Sequence, residues 1–307
     1  MTTPVLVTTT AELAAARAGL AAPVVLVPTM GALHDGHRAL LRRARQLSPL
    51  TGSVVVSVFV NPLQFAPGED FDRYPRALDD DMALCGAEGA SLMFAPGRAQ
   101  MYPAEQLVTI DPGPMGSLFE GEFRPGFFGG VLTVVLKLLH LVRPDIAVFG
   151  EKDAQQLALV RRMVTDLNLG ITVEGVPTVR DADGLAISSR NRYLSGPERA
   201  TALALPAALD AGRARVAAGP SRPAEVLAAA GAVLDTAAAA DPPLRLDYLA
   251  LVDPSTFAPV LDSRVGPAVI AVAARVGSTR LIDNARLLLS GAAVPGEDAA
   301  FGRGVRG

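Results

Sequence analysis

Two histidines set three residues apart close the stretch Pro28-Thr-Met-Gly-Ala-Leu-His-Asp-Gly-His37, in a chain whose only histidines are His34, His37 and His140. The apolar run 24–27 before them reads as a buried strand, Pro28 and Gly31 punctuate it, and an amphipathic segment begins near His37. Both imidazoles then stand on one face of a helix start, where unpaired N–H groups and the positive end of the helix dipole favour an anion. A phosphate group is the best match. Helix capping or core hydrogen bonding is the structural alternative for the pair. Zinc fits poorly, because Cys85 is the only cysteine and no third ligand stands close by.

The same chemistry recurs downstream. Gly150-Glu-Lys-Asp153 follows the apolar run 146–149 and opens another helix, which places Lys152 beside a second N–H-rich terminus. Only two of the 28 basic residues are lysines, Lys137 and Lys152, although surface solubility would also explain Lys152. Ser188-Ser-Arg190 supplies two hydroxyls and a guanidinium, again suited to phosphate oxygens. Asn61 and Gln64 lie just beyond another apolar run, where a parallel sheet binds its ligands, and are candidates for substrate hydrogen bonds or for holding their own loop. One of Gln155 and Gln156 can face the same crevice. Asp79, Asp80 and Asp81 read first as capping and favourable charge in a helix's first turn.

These groups need strands to carry them. Runs at 24–27, 54–60 and 146–149 read as buried parallel strands, with shorter candidates at 92–94, 108–110 and 171–173. Helices are expected over 12–20, 37–47, 82–89 and 157–167, and from Val131 to Val142 on a three, four and seven spacing. Segment 121–130 reads as a glycine-rich turn, and 66–81 as a long lid-like loop. The order is α/β, a Rossmann-like parallel sheet. Beyond Asn191 the texture changes to alanine-rich helices over 197–217 and 223–239, then strands over 244–252, 268–276 and 280–284, a smaller α+β domain whose Ser278-Thr-Arg280 is its one polar strand ending. The domains are drawn as 1–178, 179–290 and a disordered tail, 291–307.

Composition excludes several classes. Half of the 307 residues are hydrophobic and the net charge is −3, which suits a soluble globular protein and argues against broad nucleic-acid binding. The apolar run 129–142 is shorter than the roughly 20 residues a membrane helix needs, and it holds Lys137 and His140. The mean hydropathy of +0.32 reflects alanine-rich helices instead. A single cysteine and an N-terminus without a signal-peptide pattern point to the cytoplasm.

Taken in order, Pro28 to His37, Phe59-Val-Asn-Pro-Leu-Gln-Phe65, Asp72-Arg-Tyr-Pro-Arg76, Phe149 to Asp153 with Gln155-Gln156, and Ile187-Ser-Ser-Arg-Asn-Arg-Tyr-Leu194 resemble the pantoate–beta-alanine ligases, within the superfamily of nucleotidyltransferases marked by the His-x-Gly-His motif. The resemblance covers essentially the whole chain up to the tail. It implies a Rossmann-like domain with a smaller domain over its cleft, a homodimer, and activation of (R)-pantoate by ATP and Mg2+ as pantoyl adenylate. Beta-alanine then displaces AMP to give pantothenate.

It also implies roles. His34, His37, Lys152, Ser188, Ser189 and Arg190 would be catalytic, with His37 the conventional proton donor. Met30, Gly31, Ala32, Leu33, Asp35, Gly36, Gly150, Glu151, Asp153, Val179 and Ile187 would complete the ATP site. Gln64 and Gln156 would bind pantoate, Gln64 would border beta-alanine, and Asp80 and Asp81 would lie near magnesium and pyrophosphate. Phe127, Ala154 and Leu84 depart from the family pattern, where histidine, tyrosine and glutamine respectively are found. Another nucleotidyltransferase, or a noncatalytic nucleotide-binding protein, is the alternative.

Overall fold

The computed structural model describes residues 3–49, 51–65 and 71–290. The expected tail, 291–307, and part of the expected lid, 66–70, lie outside the described residues. The chain forms two compact units, one of Met1–Tyr193 with Ser255–Phe257, the other of Leu194–Pro254 and the chain from Ala258 onward. Residues 179–193 group with the first unit, so the division drawn after 178 stops short of the Ser188-Ser-Arg190 segment.

In chain order the first unit runs β1 (Val5–Val7), α1 (Thr10–Ala18), β2 (Val24–Thr29), α2 (Asp35–Leu47), β3 (Ser53–Val58), α3 (Leu78–Ala87), β4 (Leu92–Phe94), α4 (Arg98–Met101), α5 (Glu120–Phe123), α6 (Phe127–Val142), β5 (Ile146–Gly150), α7 (Ala154–Asp166) and β6 (Thr172–Val176). Its six strands are parallel in the order β1-β4-β3-β2-β5-β6. Successive side chains of a strand point to opposite faces. Val24, Leu26 and Val55 accordingly join a core with α1, α6 and α7, while Val25, Val27, Val54 and Val56 join another with α2 and α3. Burial on both faces is why these strands read as continuous apolar runs.

The strand order reverses between β2 and β5, the place where such sheets open a crevice. Their pairing covers only Val25 with Ile146 and Leu26 with Ala147, and the strands part before Pro28 and Gly150. Pro28 has no N–H to offer a neighbour.

Several expected boundaries move for local reasons. Segment 108–110 forms no strand: Ile110 N donates to Thr133 Oγ1 at 3.0 Å, and Leu107 and Val108 are 85% and 78% exposed. Segment 121–130 is a short helix followed by the start of α6, which begins at Phe127 rather than Val131. Gly130 is required there by contact, since a Cβ would sit 2.1 Å from the carbonyl oxygen of Leu63. That glycine lets α6 rest directly on the 3-10 turn Pro62–Gln64.

The second unit holds α8 (Gly196–Ala202), α9 (Ala204–Ala217), α10 (Pro223–Ala238) and an antiparallel sheet β7 (Leu244–Val252), β8 (Gly266–Val276), β9 (Thr279–Leu289) in sequential order. The helix expected over 197–217 is two helices. Pro206 cannot bond the carbonyl of Ala202, four residues back, and α8 ends there. Arg280 pairs with Asp247 of β7 at 2.6 Å, so this guanidinium serves its own sheet. Among the described residues no helix is long and apolar enough to cross a membrane.

Candidate active site

The loop after β2 is held from below. Thr29 Oγ1 donates to Ser57 O at 2.8 Å, and Ala32 N and Leu33 N donate to Asp81 Oδ2 and Oδ1 at 3.0 and 2.7 Å. These bonds fix Gly31 and Ala32 at φ +86° and +51°. Asp81 is 2% exposed, and burial raises its pKa against the lowering effect of the Leu33 and Ala32 bonds. The aspartates lie inside the first turn of α3, whose cap residue Ala77 offers no side chain, so capping does not explain them. Asp81 is a loop anchor with both oxygens turned inward, and Asp80 is exposed.

The anchored loop delivers His34 to the cap of α2, which starts at Asp35. His34 Nδ1 accepts from Gly36 N and His37 Nδ1 accepts from His34 N, both at 3.2 Å, and the rings stand 4.1 Å apart. The capping alternative holds: each ring caps through Nδ1, and in a neutral imidazole that leaves Nε2 bearing the proton as a donor, so capping does not exclude an anion there. Gly36 is needed between them because a Cβ would meet His34 Cε1 at 2.9 Å. Burial, with His34 adding to it, pushes the His37 pKa down to about 3. Burial and then the Lys152 ammonium lower that of His34.

A cavity of about 260 Å3 within the first unit gathers most of the expected groups. Met30, His34, Gly36 and His37 line it from the β2 side, and Gly150, Lys152, Asp153 and Gln156 from the β5 side. Val179, Ile187, Ser188, Ser189 and Arg190 line it from a hairpin closed by Ile187 N to Val179 O at 2.9 Å. Asn191 secures the following 3-10 turn through Nδ2 to Ala186 O at 3.0 Å. Gln64 lines the cavity beside Met30, which its Nε2 meets at 2.7 Å. Gly31, Ala32, Leu33, Asp35, Glu151, Asp80 and Asp81 are not on the wall; the first three shape the loop behind it.

The two glutamines of α7 divide their tasks. Gln155 is buried, taking Glu120 N at 3.2 Å and giving to Met115 O and Leu118 O at 2.8 Å each, which pins the 115–120 segment. Gln156 faces the cavity. Asn61 does not: it is 1% exposed and fully bonded inside the protein.

Sequence reading missed Arg124 and Phe127 as wall residues. Arg124 Cζ lies 3.7 Å from the Phe127 ring centroid, and Nη2 donates to Gln64 O at 3.1 Å. The departure at Phe127 thus gives a stacking face to a cation. The Arg124-Pro-Gly-Phe motif pointed to the segment, but a turn reading could not place its side chains.

Among the described residues no group of three or more His, Cys, Asp or Glu side chains could hold a metal ion. Asp81, expected with Asp80 near magnesium and pyrophosphate, spends both oxygens on the loop's N–H groups.

A strand-end loop with paired imidazoles, a lysine and a Ser-Ser-Arg turn can grip a triphosphate, while the apolar and amide-lined end can take a small acid. Comparison with known proteins agrees. The family model described as pantoate-beta-alanine ligase matches residues 5–286. The chain is 59% identical to a pantothenate synthetase of Thermobifida fusca over 94% of this chain and 97% of that one. It is 57% identical to that of Acidothermus cellulolyticus over 92% and 91%. The crystal structure of pantothenate synthetase from Thermus thermophilus superposes with a TM-score of 0.84 at 50% identity, covering 92% of this chain and 98% of that one. A pantoate-beta-alanine ligase from Francisella tularensis, complexed with beta-gamma ATP and beta-alanine, gives 0.72 at 29% identity, covering 92% and 97%. With the strand order, the histidine-capped helix and a family match spanning almost all of its length, this chain belongs to the pantoate-beta-alanine ligase family.

Proposed function

We propose that this cavity carries out ligation in two steps. The family's reaction, the ATP-dependent joining of pantoate and beta-alanine into pantothenate, is the activity of this chain. In the first step a carboxylate oxygen of (R)-pantoate attacks the α-phosphorus of ATP, the bond to pyrophosphate breaks, and pantoyl adenylate forms. In the second the amine of beta-alanine attacks the pantoyl carbonyl carbon, AMP leaves with the electrons of the C–O bond, and the amine's proton passes to solvent. A mixed anhydride needs no enzymic nucleophile, so the protein's work is positioning and charge stabilisation.

His34 and His37 donate through Nε2 to phosphoryl oxygens. In the free protein His37 acts as a neutral donor rather than an imidazolium, consistent with its low pKa. Lys152 and Arg190 meet the growing charge on the phosphates, and Ser188 and Ser189 add hydroxyl donors. Gln64 and Gln156 hold pantoate, with Gln64 also bordering beta-alanine. Magnesium held by the ATP phosphates would neutralise part of their charge and would ask few ligands of the protein. A homodimer working in the cytoplasm completes the reading.

The observation that carries it is the meeting, in one cavity, of the His34–His37 cap, Lys152 and Ser188–Arg190 with Gln64 and Gln156. A nucleotidyltransferase of another kind has no use for the two glutamines. Chromatography of reaction mixtures is expected to show pantothenate and AMP in equal amounts only when ATP, pantoate and beta-alanine are all present. AMP formation indifferent to pantoate would refute it.

A further inference from the structure

Asn61 commits every hydrogen-bonding position of its side chain. Oδ1 accepts from Leu63 N at 3.2 Å and from Tyr102 Oη at 2.9 Å, while Nδ2 donates to Gly130 O at 3.0 Å and to Gln64 Oε1 at 3.2 Å. Two of these partners have fixed polarity, since a backbone N–H only donates and a carbonyl only accepts. They admit one orientation of the Asn61 amide. Gln64 must then turn its Oε1 towards Asn61, and its Nε2 is the end directed at Met30 and the cavity.

Tyr102 completes this arrangement from outside the cavity wall. It follows α4, and its ring packs against Phe59 with centroids 6.0 Å apart and under the Lys137 ammonium at 5.3 Å. Facing an amide oxygen, the phenol is the donor. Burial pushes its pKa up to about 12, so it keeps the proton it donates.

We infer that Tyr102 is a positioning residue that acts through Asn61 to hold Gln64 with its N–H groups towards the substrate, so that this end of the site selects a ligand oxygen acceptor. The inference deepens the reading of Gln64 as a pantoate-binding group and rests on that reading. The acceptor class is a carboxylate or hydroxyl oxygen of the acid. A ligand offering an N–H in that place would face a second donor and be rejected.

Tyr102→Phe removes one oxygen and leaves the packed ring, which avoids a folding failure. Steady-state kinetics are expected to show KM for pantoate raised roughly 2- to 10-fold, the range for losing one hydrogen bond, with KM for ATP unchanged and the circular dichroism spectrum retained. The decisive readout is a double-mutant cycle with Gln64→Ala. In that background Tyr102→Phe should no longer alter KM for pantoate, whereas a merely structural role would lower activity equally in both backgrounds. Gln64→Glu, which keeps an acceptor but has no donor, should lose pantoate as fully as Gln64→Ala. Additive effects, an unchanged KM in Tyr102→Phe, or near-normal pantoate binding in Gln64→Glu would each overturn the proposal while leaving the ligase reading intact. A wild-type protein that does not consume pantoate would overturn both.

Discussion

His37 Nδ1 accepts the backbone N–H of His34 at 3.2 Å, so the second histidine of the motif completes the cap on which the first one sits. The two rings are one device. Their inner nitrogens are fixed by the backbone while both residues line one cavity, and the motif's spacing follows from the geometry of a helix start.

This arrangement makes stability depend on pH. The His37 pKa falls from the ordinary value of 6.5 to about 3, so between those values the unfolded chain binds a proton that the folded protein does not. Stability is complete above pH 6.5 and declines as pH falls towards 3, with a limiting slope of about 1.4 kcal/mol per pH unit from this ring. His37→Gln removes the titration. Thermal unfolding of both proteins from pH 7 to pH 4 should show a smaller loss in the variant; parallel curves would contradict the assignment.

Gly36→Ala tests the contact between the motif's glycine and its first ring. The new Cβ would meet His34 Cε1 at 2.9 Å and displace the imidazole. Alanine favours helix, so the melting temperature should hold while pyrophosphate release falls about 100-fold, the cost of a misplacement near 1 Å. Unchanged release would show that His34 has room to move.

Lys152→Ala removes charge from the cavity wall without removing core volume. Adenylate formation should drop roughly 100- to 1,000-fold with the circular dichroism spectrum intact. The His34 pKa should rise, because the ammonium is among the causes that lower it; NMR titration of the ring reads this separately from activity.

Asp81→Asn replaces one acceptor oxygen with a donor that faces a backbone N–H. A loss of about 1–3 kcal/mol in unfolding free energy is expected, with the magnesium concentration for half-maximal activity unchanged. The Asp80→Ala enzyme should keep both. A strong shift in the magnesium requirement of either variant would restore a metal role to these carboxylates.

Phe127→Leu keeps an apolar wall but withdraws the face beneath Arg124. A loss of about 0.5–1 kcal/mol of cation–π attraction should loosen Gln64, whose carbonyl Arg124 holds, and raise KM for pantoate a few-fold with kcat nearly constant. Equal KM values would show that Arg124 keeps its place without the ring.

Much of this architecture was legible in the chain because burial on both faces writes strands as apolar runs, as in β2 and β3. His34, His37 and Lys152 were singled out by their types beside strand ends and Ser188–Arg190 by residue type alone, and the cavity gathers them. What periodicity could not reveal were properties of pairs far apart in sequence. Asp81 does stand in the first turn of α3, but its work as a loop anchor left no local sign because its partners, Ala32 and Leu33, lie 49 and 48 positions away. Asn61 could serve either substrate or its own loop until Tyr102 and Gly130 were seen to use its amide, which decides for the loop. Gly130 looked like a turn because a close approach to Leu63 leaves no local signature. The stretch 108–110 has strand-forming residues but no neighbouring strand bonded to it among the described residues.

Transfer of a labelled oxygen tests the central claim most directly. With pantoate carrying 18O in its carboxylate, attack on the α-phosphorus followed by displacement with beta-alanine leaves one of those oxygens on AMP. Mass spectrometry is predicted to find AMP with a single 18O and pyrophosphate with none. Label in pyrophosphate, or unlabelled AMP accompanying pantothenate, would contradict the adenylate route.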